Sequence, residues 1–260
     1  MPEIDPSAKV SSKAELDVDV TIGPYAIVED NVVIGRGTFI SAHSVIKDYV
    51  SIGANCHIAE HAVLGGLPQD TRYKGEKSFL KLGEQVTVNE FATLHRATGE
   101  GECTQVGKGS CIMAYSHVSH NCRLGKNVTL ANGVQLAGHV EVEDDAFLGG
   151  STGVHQFVKV GRLAMVGAHS YLTQDLPPFM KGSGHPFYVV GPNQVGLKRA
   201  GLSRKKLTLI KRLFKLVYKD TRPLDTALQD LNRDELNEPE VTEFLEFKAQ
   251  TIRGLRLKCR

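Results

Sequence analysis

The sequence predicts an all-β parallel β-helix, wound as a triangular prism from six-residue repeats and followed by a small C-terminal α-helical domain. Three observations predict it. An aliphatic residue recurs at every sixth position from 4 to 172, a small residue follows most of these four places later, and the register ends after 172 in a stretch rich in Pro and Gly.

The period is the strongest of the three. It runs from Ile4 and Val10 through Ile22, Ile34, Ile46 and Ile58 to Leu64, resumes at Leu82, Val88 and Leu94, and continues from Val106 to Leu172. Of the 29 positions in this frame, only Asp70, Glu76 and Glu100 are not aliphatic. A helix repeats near 3.6 residues and a half-buried strand at 2, so neither yields this pattern. Gly often follows the aliphatic (Gly23, Gly35, Gly53, Gly107, Gly125), as expected at a tight corner. The small residue is Ala, Ser or Thr, as at Ala26, Ser44, Ala62, Ser110 and Thr152. One hexad supplies one face of the prism, so about 18 residues make a coil, and coils stack at roughly 4.8 Å.

Residues 66–79 and 96–104 abandon the pattern and are expected to project as loops, where functional side chains often sit. The β-helix is assigned to 1–190 and the helical domain to 191–260. Pro177, Pro178, Gly182, Gly184, Pro186, Gly191 and Pro192 read as a linker. Ser203 is a good N-cap for a helix to about Lys219, and two more helices are expected near 224–232 and 239–250. Residues 197–222 hold ten Lys or Arg against the single acid Asp220, in a chain with 31 basic and 29 acidic residues. That near-balance argues against a general nucleic-acid binder, whereas the local excess suits an acidic partner.

No basic-then-apolar leader opens the chain, and no stretch reaches the ~18 apolar residues of a membrane span. The five cysteines (56, 103, 111, 122 and 259) are odd in number and lack CxxC spacing, so they read as reduced thiols of a cytoplasmic protein.

The 18-residue coil also gathers the histidines. His120, Gly138 and Gln156 are each 18 apart and stack on successive coils, with His139 and His155 flanking the column and His117 half a hexad before it. A neutral imidazole is a general base near pH 7. The Gly138 N–H is placed to face a developing oxyanion, and the missing side chain is expected to leave room for substrate. No Ser-His-Asp or Cys-His pattern supplies a nucleophile, so direct transfer is the simpler chemistry. The rival is a zinc site like that of the trimeric β-helix carbonic anhydrases, which use an HxxxxH pair where this chain has HxxH. A non-catalytic solenoid scaffold is the other alternative.

The segments SHVSHNC, LAGHV, VHQF, PQDTRY, QDLPPF and NQVGLKRAG resemble the UDP-N-acetylglucosamine acyltransferases, which open lipid A synthesis. The resemblance covers almost the whole chain, with another hexapeptide acyltransferase as a further alternative. It implies a left-handed prism, although the crossover rule for parallel strands favours the opposite hand. It further implies transfer of a 3-hydroxyacyl chain from acyl carrier protein to the glucosamine 3-position, with His120 as base and Gly138 holding the oxyanion. His117, His139, His155, Gln156, Asp70, Arg72, Asn193 and Arg199 are implied to position the sugar nucleotide, and Ala168 to limit acyl length. A homotrimer with sites between subunits is implied, with no metal and no resident cofactor, since 4'-phosphopantetheine arrives on the carrier protein.

Four positions depart from the family pattern: Asn121 stands where Asp is common, Arg72 where Lys is, Val195 where Glu is, and Ala200 where a second Arg is. The last two thin the contacts to the nucleotide and raise the prospect of a 3-amino acceptor.

Overall fold

The hexads fold as short strands, mostly two residues long, that turn a corner and start the next face. A computed structural model describes residues 1–257; the reduced-thiol reading of Cys259 lies outside these described residues. Among the described residues three sheets of 11, 9 and 8 strands form the faces, parallel except for the last strand of the first, and they begin with Glu3–Ile4, Lys9–Val10 and Glu15–Leu16 respectively. Coil stacks on coil in register, so that Ile4 pairs with Ile22, Val10 with Val28 and Leu16 with Ile34. From Ile22 onward the aliphatic ladder is closed to solvent and forms one continuous core with the small residues.

The small residues fill what the ladder leaves. Ser44, Ser110 and Ser116 are buried, and each hydroxyl donates to a main-chain carbonyl, of Ala59 (2.9 Å), Gly125 (3.0 Å) and Ala131 (3.0 Å). A buried hydroxyl satisfied in this way escapes the penalty of an orphaned donor. The thiols of Cys56 and Cys122 do the same for Gly83 and Ala137.

The glycines after the aliphatics have a different reason from the one the sequence suggests. Coils approach so closely there that a Cβ at Gly53 would lie 2.5 Å from the Gly83 carbonyl carbon, and one at Gly107 would lie 2.3 Å from the Gly125 oxygen. The left-handed backbone falls two places later, on residues such as Tyr25 (φ 57°), His43 (φ 60°) and Asn121 (φ 58°). Close stacking, not corner conformation, demands glycine.

Both loops leave the core in phase. Ile52 pairs with Leu82 and Leu82 with Val106, separations of 30 and 24 residues where an uninterrupted coil takes 18. Strands Val63–Gly66, Phe79–Leu82 and Cys103–Val106 reach into the pattern breaks, leaving 67–78 and 96–102 as insertions.

The expected linker is instead structured. Met180–Ser183 continues the first face and pairs antiparallel with Tyr188–Pro192, burying Phe187 and Val189. Turn residues at Gly184 and Pro186 close a hairpin, which composition alone does not distinguish from an open linker.

Among the described residues five helices follow: α1 (Gln194–Arg199), α2 (Arg204–Tyr218), α3 (Leu224–Leu228), α4 (Arg233–Leu236) and α5 (Pro239–Ala249). Ser203 caps α2 as expected, its hydroxyl accepting from Lys206 N, while α1 and α4 add to the three helices expected from the sequence. Arg162 on the prism grips Glu243 of α5 through two hydrogen bonds of 2.9 and 2.8 Å. Among the described residues no helix is long and apolar enough to cross a membrane.

Candidate active site

The histidines converge where the second face turns into the third. In three successive coils this corner comprises 119–122, 137–140 and 155–158, and the stacking is direct: His139 N donates to His120 O (3.0 Å) and Phe157 N to Gly138 O (3.2 Å). The expected column of His120, Gly138 and Gln156 is present.

Gly138 differs from expectation in one respect. A Cβ there would sit 2.5 Å from both Cε1 and Nε2 of His120, so the space is taken by the imidazole rather than left for substrate. The Gly138 N–H has no acceptor among the described residues. His120 is buried, at 8 % exposure. Its Nδ1 lies 2.9 Å from Asn121 Oδ1. Asn121 Oδ1 also accepts from Thr98 N (2.9 Å), so it is an acceptor toward His120, and Nδ1 must carry the proton. The lone pair is thereby placed on Nε2, the ring nitrogen used by a general base.

Asp70 reaches over from the longer insertion, its Oδ2 3.9 Å from His120 Nε2. Arg72 donates to Asp70 through its main-chain N (2.9 Å), its Nε (3.2 Å) and its Nη2 (2.8 Å). These bonds hold the Asp70 carboxyl far below the usual carboxylate range, so it stays ionised beside the imidazole.

The neighbouring histidines are biased toward the neutral form. Burial, assisted by the charge of His120, pushes His117 and His139 below the ordinary histidine range. Burial together with His117 and His120 pushes His95 down to about 4. His117 Nδ1 is 2.8 Å from Thr93 Oγ1, and His95 stands edge-on to it with ring centroids 4.8 Å apart. The sequence period does not reveal His95. It sits beside Leu94, whose partner Val118 is 24 residues on because of the shorter insertion, so an 18-residue step cannot find it.

On the second-face side of the corner, a cleft of about 490 Å³ is lined by Gln69, His117, His120, Gly138, His155 and Gln156, with Tyr171 at one end. Asn121, His139 and Phe157 open instead onto a groove on the third face, of about 660 Å³, where His139 stacks on Phe157 at 4.7 Å. Asp70 and Arg72 stand beside His120 without lining this cleft, and three further sequence candidates lie away from it. Ala168 is exposed at the corner between the first and second faces. Asn193 caps α1, accepting from Gly196 N (3.1 Å) and donating to Leu163 O (2.9 Å), while Arg199 is exposed at the end of α1.

The basic tail is partly neutralised by its own fold. Lys205, Lys206 and Arg212 pair with Glu238, Glu240 and Glu235, and Arg222 with Asp220 and Asp230. Lys211, Lys215 and Lys219 face Lys181 across a groove of about 410 Å³ that also holds Val190 and Phe214.

The comparisons agree with this architecture. Residues 19–48 and 103–138 match the profile of the bacterial transferase hexapeptide, and 139–174 that of the hexapeptide repeat of succinyl-transferase. Residues 175–256 match the second domain of UDP-N-acetylglucosamine O-acyltransferase. The chain is 44 % identical to the acyl-[acyl-carrier-protein]–UDP-N-acetylglucosamine O-acyltransferase of Alkalilimnicola ehrlichii, over 98 % of this chain and 99 % of that one. The solved UDP-N-acetylglucosamine acyltransferase of Campylobacter jejuni is 35 % identical, with a TM-score of 0.92 over 98 % of this chain and 99 % of that one. That of Francisella novicida is 33 % identical, with a TM-score of 0.93 over 97 % and 93 %. The prism shares their left-handed winding. Likeness of this extent, running through repeats, hairpin and helical tail alike, makes the chain a member of the UDP-N-acetylglucosamine acyltransferase family.

Proposed function

We propose that the protein transfers a 3-hydroxyacyl chain from acyl carrier protein to the glucosamine 3-position of UDP-N-acetylglucosamine, or of its 3-amino analogue, as a step of lipid A synthesis in the cytoplasm. The observation that carries the reading is His120 itself. It is a buried imidazole with Nδ1–H tied to Asn121 and Nε2 turned toward Asp70, beside a Gly138 N–H that has no acceptor among the described residues.

The acceptor hydroxyl, or amine, gives its proton to His120 Nε2 as it attacks the thioester carbonyl. The carbonyl oxygen becomes an oxyanion opposite the Gly138 N–H. Collapse of the tetrahedral intermediate breaks the carbon–sulfur bond, and the leaving thiolate takes the proton back from Nε2. The products are the acylated sugar nucleotide and carrier protein with a free 4'-phosphopantetheine thiol. No metal takes part in this scheme, and no other group must be resident. His117, His155 and Gln156 border the reacting atoms, Asp70 and Arg72 close over them, and His139 braces His120 at 5.3 Å between ring centroids.

A homotrimer completes the site. Ala168, Asn193 and Arg199 lie outside this chain's own cleft, and a neighbouring copy brings them to it. Exposed rings at the Ala168 corner support such contact: Tyr25, His43, His61, Phe91 and Tyr115 stack in one ladder, 4.9 to 5.2 Å apart. The lysine groove is the landing place for the acidic carrier protein. It lies four strands up the first face from the coil of His120, a climb of roughly 19 Å at sheet spacing.

The test is acyl transfer by the purified protein, with 3-hydroxyacyl carrier proteins of several lengths offered against both acceptors. Wild type is expected to transfer, and His120→Ala to lose roughly 10²–10⁴-fold. Preference for the 3-amino sugar would assign the departures at Val195 and Ala200 to acceptor choice; no transfer to either acceptor by folded protein would reject the reading.

A further inference from the structure

The residue behind His120 is a carboxamide rather than a carboxylate, and its surroundings are built for one. Asn121 sits in left-handed backbone (φ 58°), which Asn tolerates better than most residues. Its main-chain N donates to Thr104 Oγ1 (2.8 Å). Its side chain is held on both atoms by one residue: Thr98 N donates to Oδ1 (2.9 Å), and Nδ2 donates to Thr98 O (3.0 Å). Main-chain N–H and C=O cannot exchange roles, so the two Thr98 contacts dictate which side-chain atom is oxygen. The oxygen is the atom that faces His120 Nδ1 at 2.9 Å.

A carboxylate does not fit this frame. Of its two oxygens, one meets the Thr98 N–H, but the other lies where Nδ2 now stands, 3.0 Å from the Thr98 carbonyl oxygen. Two acceptors at that distance repel, so the acid must take up a proton or displace the insertion. The shorter insertion, 96–102, is therefore matched to Asn.

In front of the ring the charge is present. Asp70 Oδ2 stands 3.9 Å from Nε2, its carboxylate held by Arg72. The ionisable groups facing His120 are thus Asp70, backed by Arg72, from the longer insertion, His117 from its own coil, His95 from the coil before and His139 from the coil after.

We infer that Asn121 is a positioning residue that locks His120 as the Nδ1–H tautomer through its clamp on the Thr98 main chain, while Asp70, in front of the ring, supplies the negative charge for the imidazolium. This deepens the acyl-transfer reading and rests on it for the identity of the proton acceptor. The clamp itself does not depend on the substrate. When the acceptor O–H or N–H breaks, the new Nε2–H points to Asp70, and Nδ1–H stays on Asn121.

Two measurements on the full chain test this. ¹⁵N NMR of histidine-labelled protein without substrates reports which nitrogen of His120 bears the proton, the resonance being assigned by its loss in His120→Ala. Wild type is expected to show Nδ1–H, and Asn121→Ala a mixture of tautomers with kcat reduced about 10–100-fold and KM for the sugar nucleotide within a few-fold. Asn121→Asp reproduces the clamp only while its carboxyl is protonated, so its pH–rate profile is expected to gain a loss of activity as that carboxyl ionises on raising the pH, a limb absent from wild type. Nε2–H in the wild type would overturn the inference. So would an Asn121→Ala protein with unchanged tautomer and kcat. Wild type with the Nδ1–H signature but no transfer to any acceptor would refute the acyl-transfer reading and leave the clamp supported.

Discussion

The imidazole of His120 occupies the space that a side chain on Gly138 would need, its Cε1 and Nε2 each 2.5 Å from an ideal Cβ. The base and the oxyanion donor of the proposed reaction are therefore one packed unit. Gly138→Ala is expected to drive the ring off its place, cost about 1–3 kcal/mol of stability and lower kcat by at least about tenfold. Thermal unfolding beside kcat separates the two effects. A Gly138→Ala protein with wild-type kcat would show that ring and glycine are not coupled.

Chain length is expected to follow the side chain at 168. Ala168 is exposed at its corner and free to take a larger residue. In the proposed trimer Ala168→Met shortens the preferred acyl chain, read by competing carrier-bound chains of different length. A length profile identical to wild type would remove Ala168 from that role.

Acid sensitivity should trace partly to His95. Its folded value of about 4 lies below the 6.5 of an ordinary histidine. In between, the unfolded chain binds a proton that the folded chain refuses, so stability falls as pH drops through this window. His95→Asn is expected to flatten the fall, by up to on the order of 3 kcal/mol over the window, in denaturant melts at pH 7 and pH 4.5. Parallel melts of mutant and wild type would assign the acid response elsewhere.

Carrier-protein affinity should depend on the lysine groove. Lys211→Glu with Lys215→Glu is expected to raise KM for the acyl carrier protein roughly tenfold or more, with kcat nearly unchanged and with weaker salt dependence. A short acyl thioester lacking the protein should be used equally well by mutant and wild type. Equal impairment on both substrates would mean that the groove supports the fold, not the partner.

Much of this was legible in the sequence because the period is geometric. An aliphatic every sixth residue specifies a face, three hexads specify a coil, and the coil places His120, Gly138 and Gln156 in one column. What the period cannot carry stays hidden. His95 escapes it because the insertion stretches its coil to 24 residues. The hairpin at 180–192 reads as a linker because its turn residues outweigh its short strands. The glycines look like corner residues, whereas their constraint comes from the next coil, a contact between residues 18 or more apart. The +9 tail looks more charged than it is, since its acids arrive from residues 220–240. The Thr98 clamp joins residues 23 apart through main-chain atoms, which no side-chain motif reveals.

The stacking of coils has a last consequence for the proposed reaction. Every corner position repeats one coil away, displaced by a single sheet spacing of roughly 4.8 Å. Ala168 has Gly150 as its counterpart one coil nearer the N-terminus, at the same corner. In the proposed reaction the prism is therefore expected to act as a graduated rod. Moving a blocking side chain from one coil to the next changes the reach of a bound chain by a whole graduation, several methylenes at once, while exchanging one residue for a larger one interpolates between marks. Substrate length in the proposed reaction is then expected to be written twice, coarsely by the coil number and finely by the volume of a single side chain.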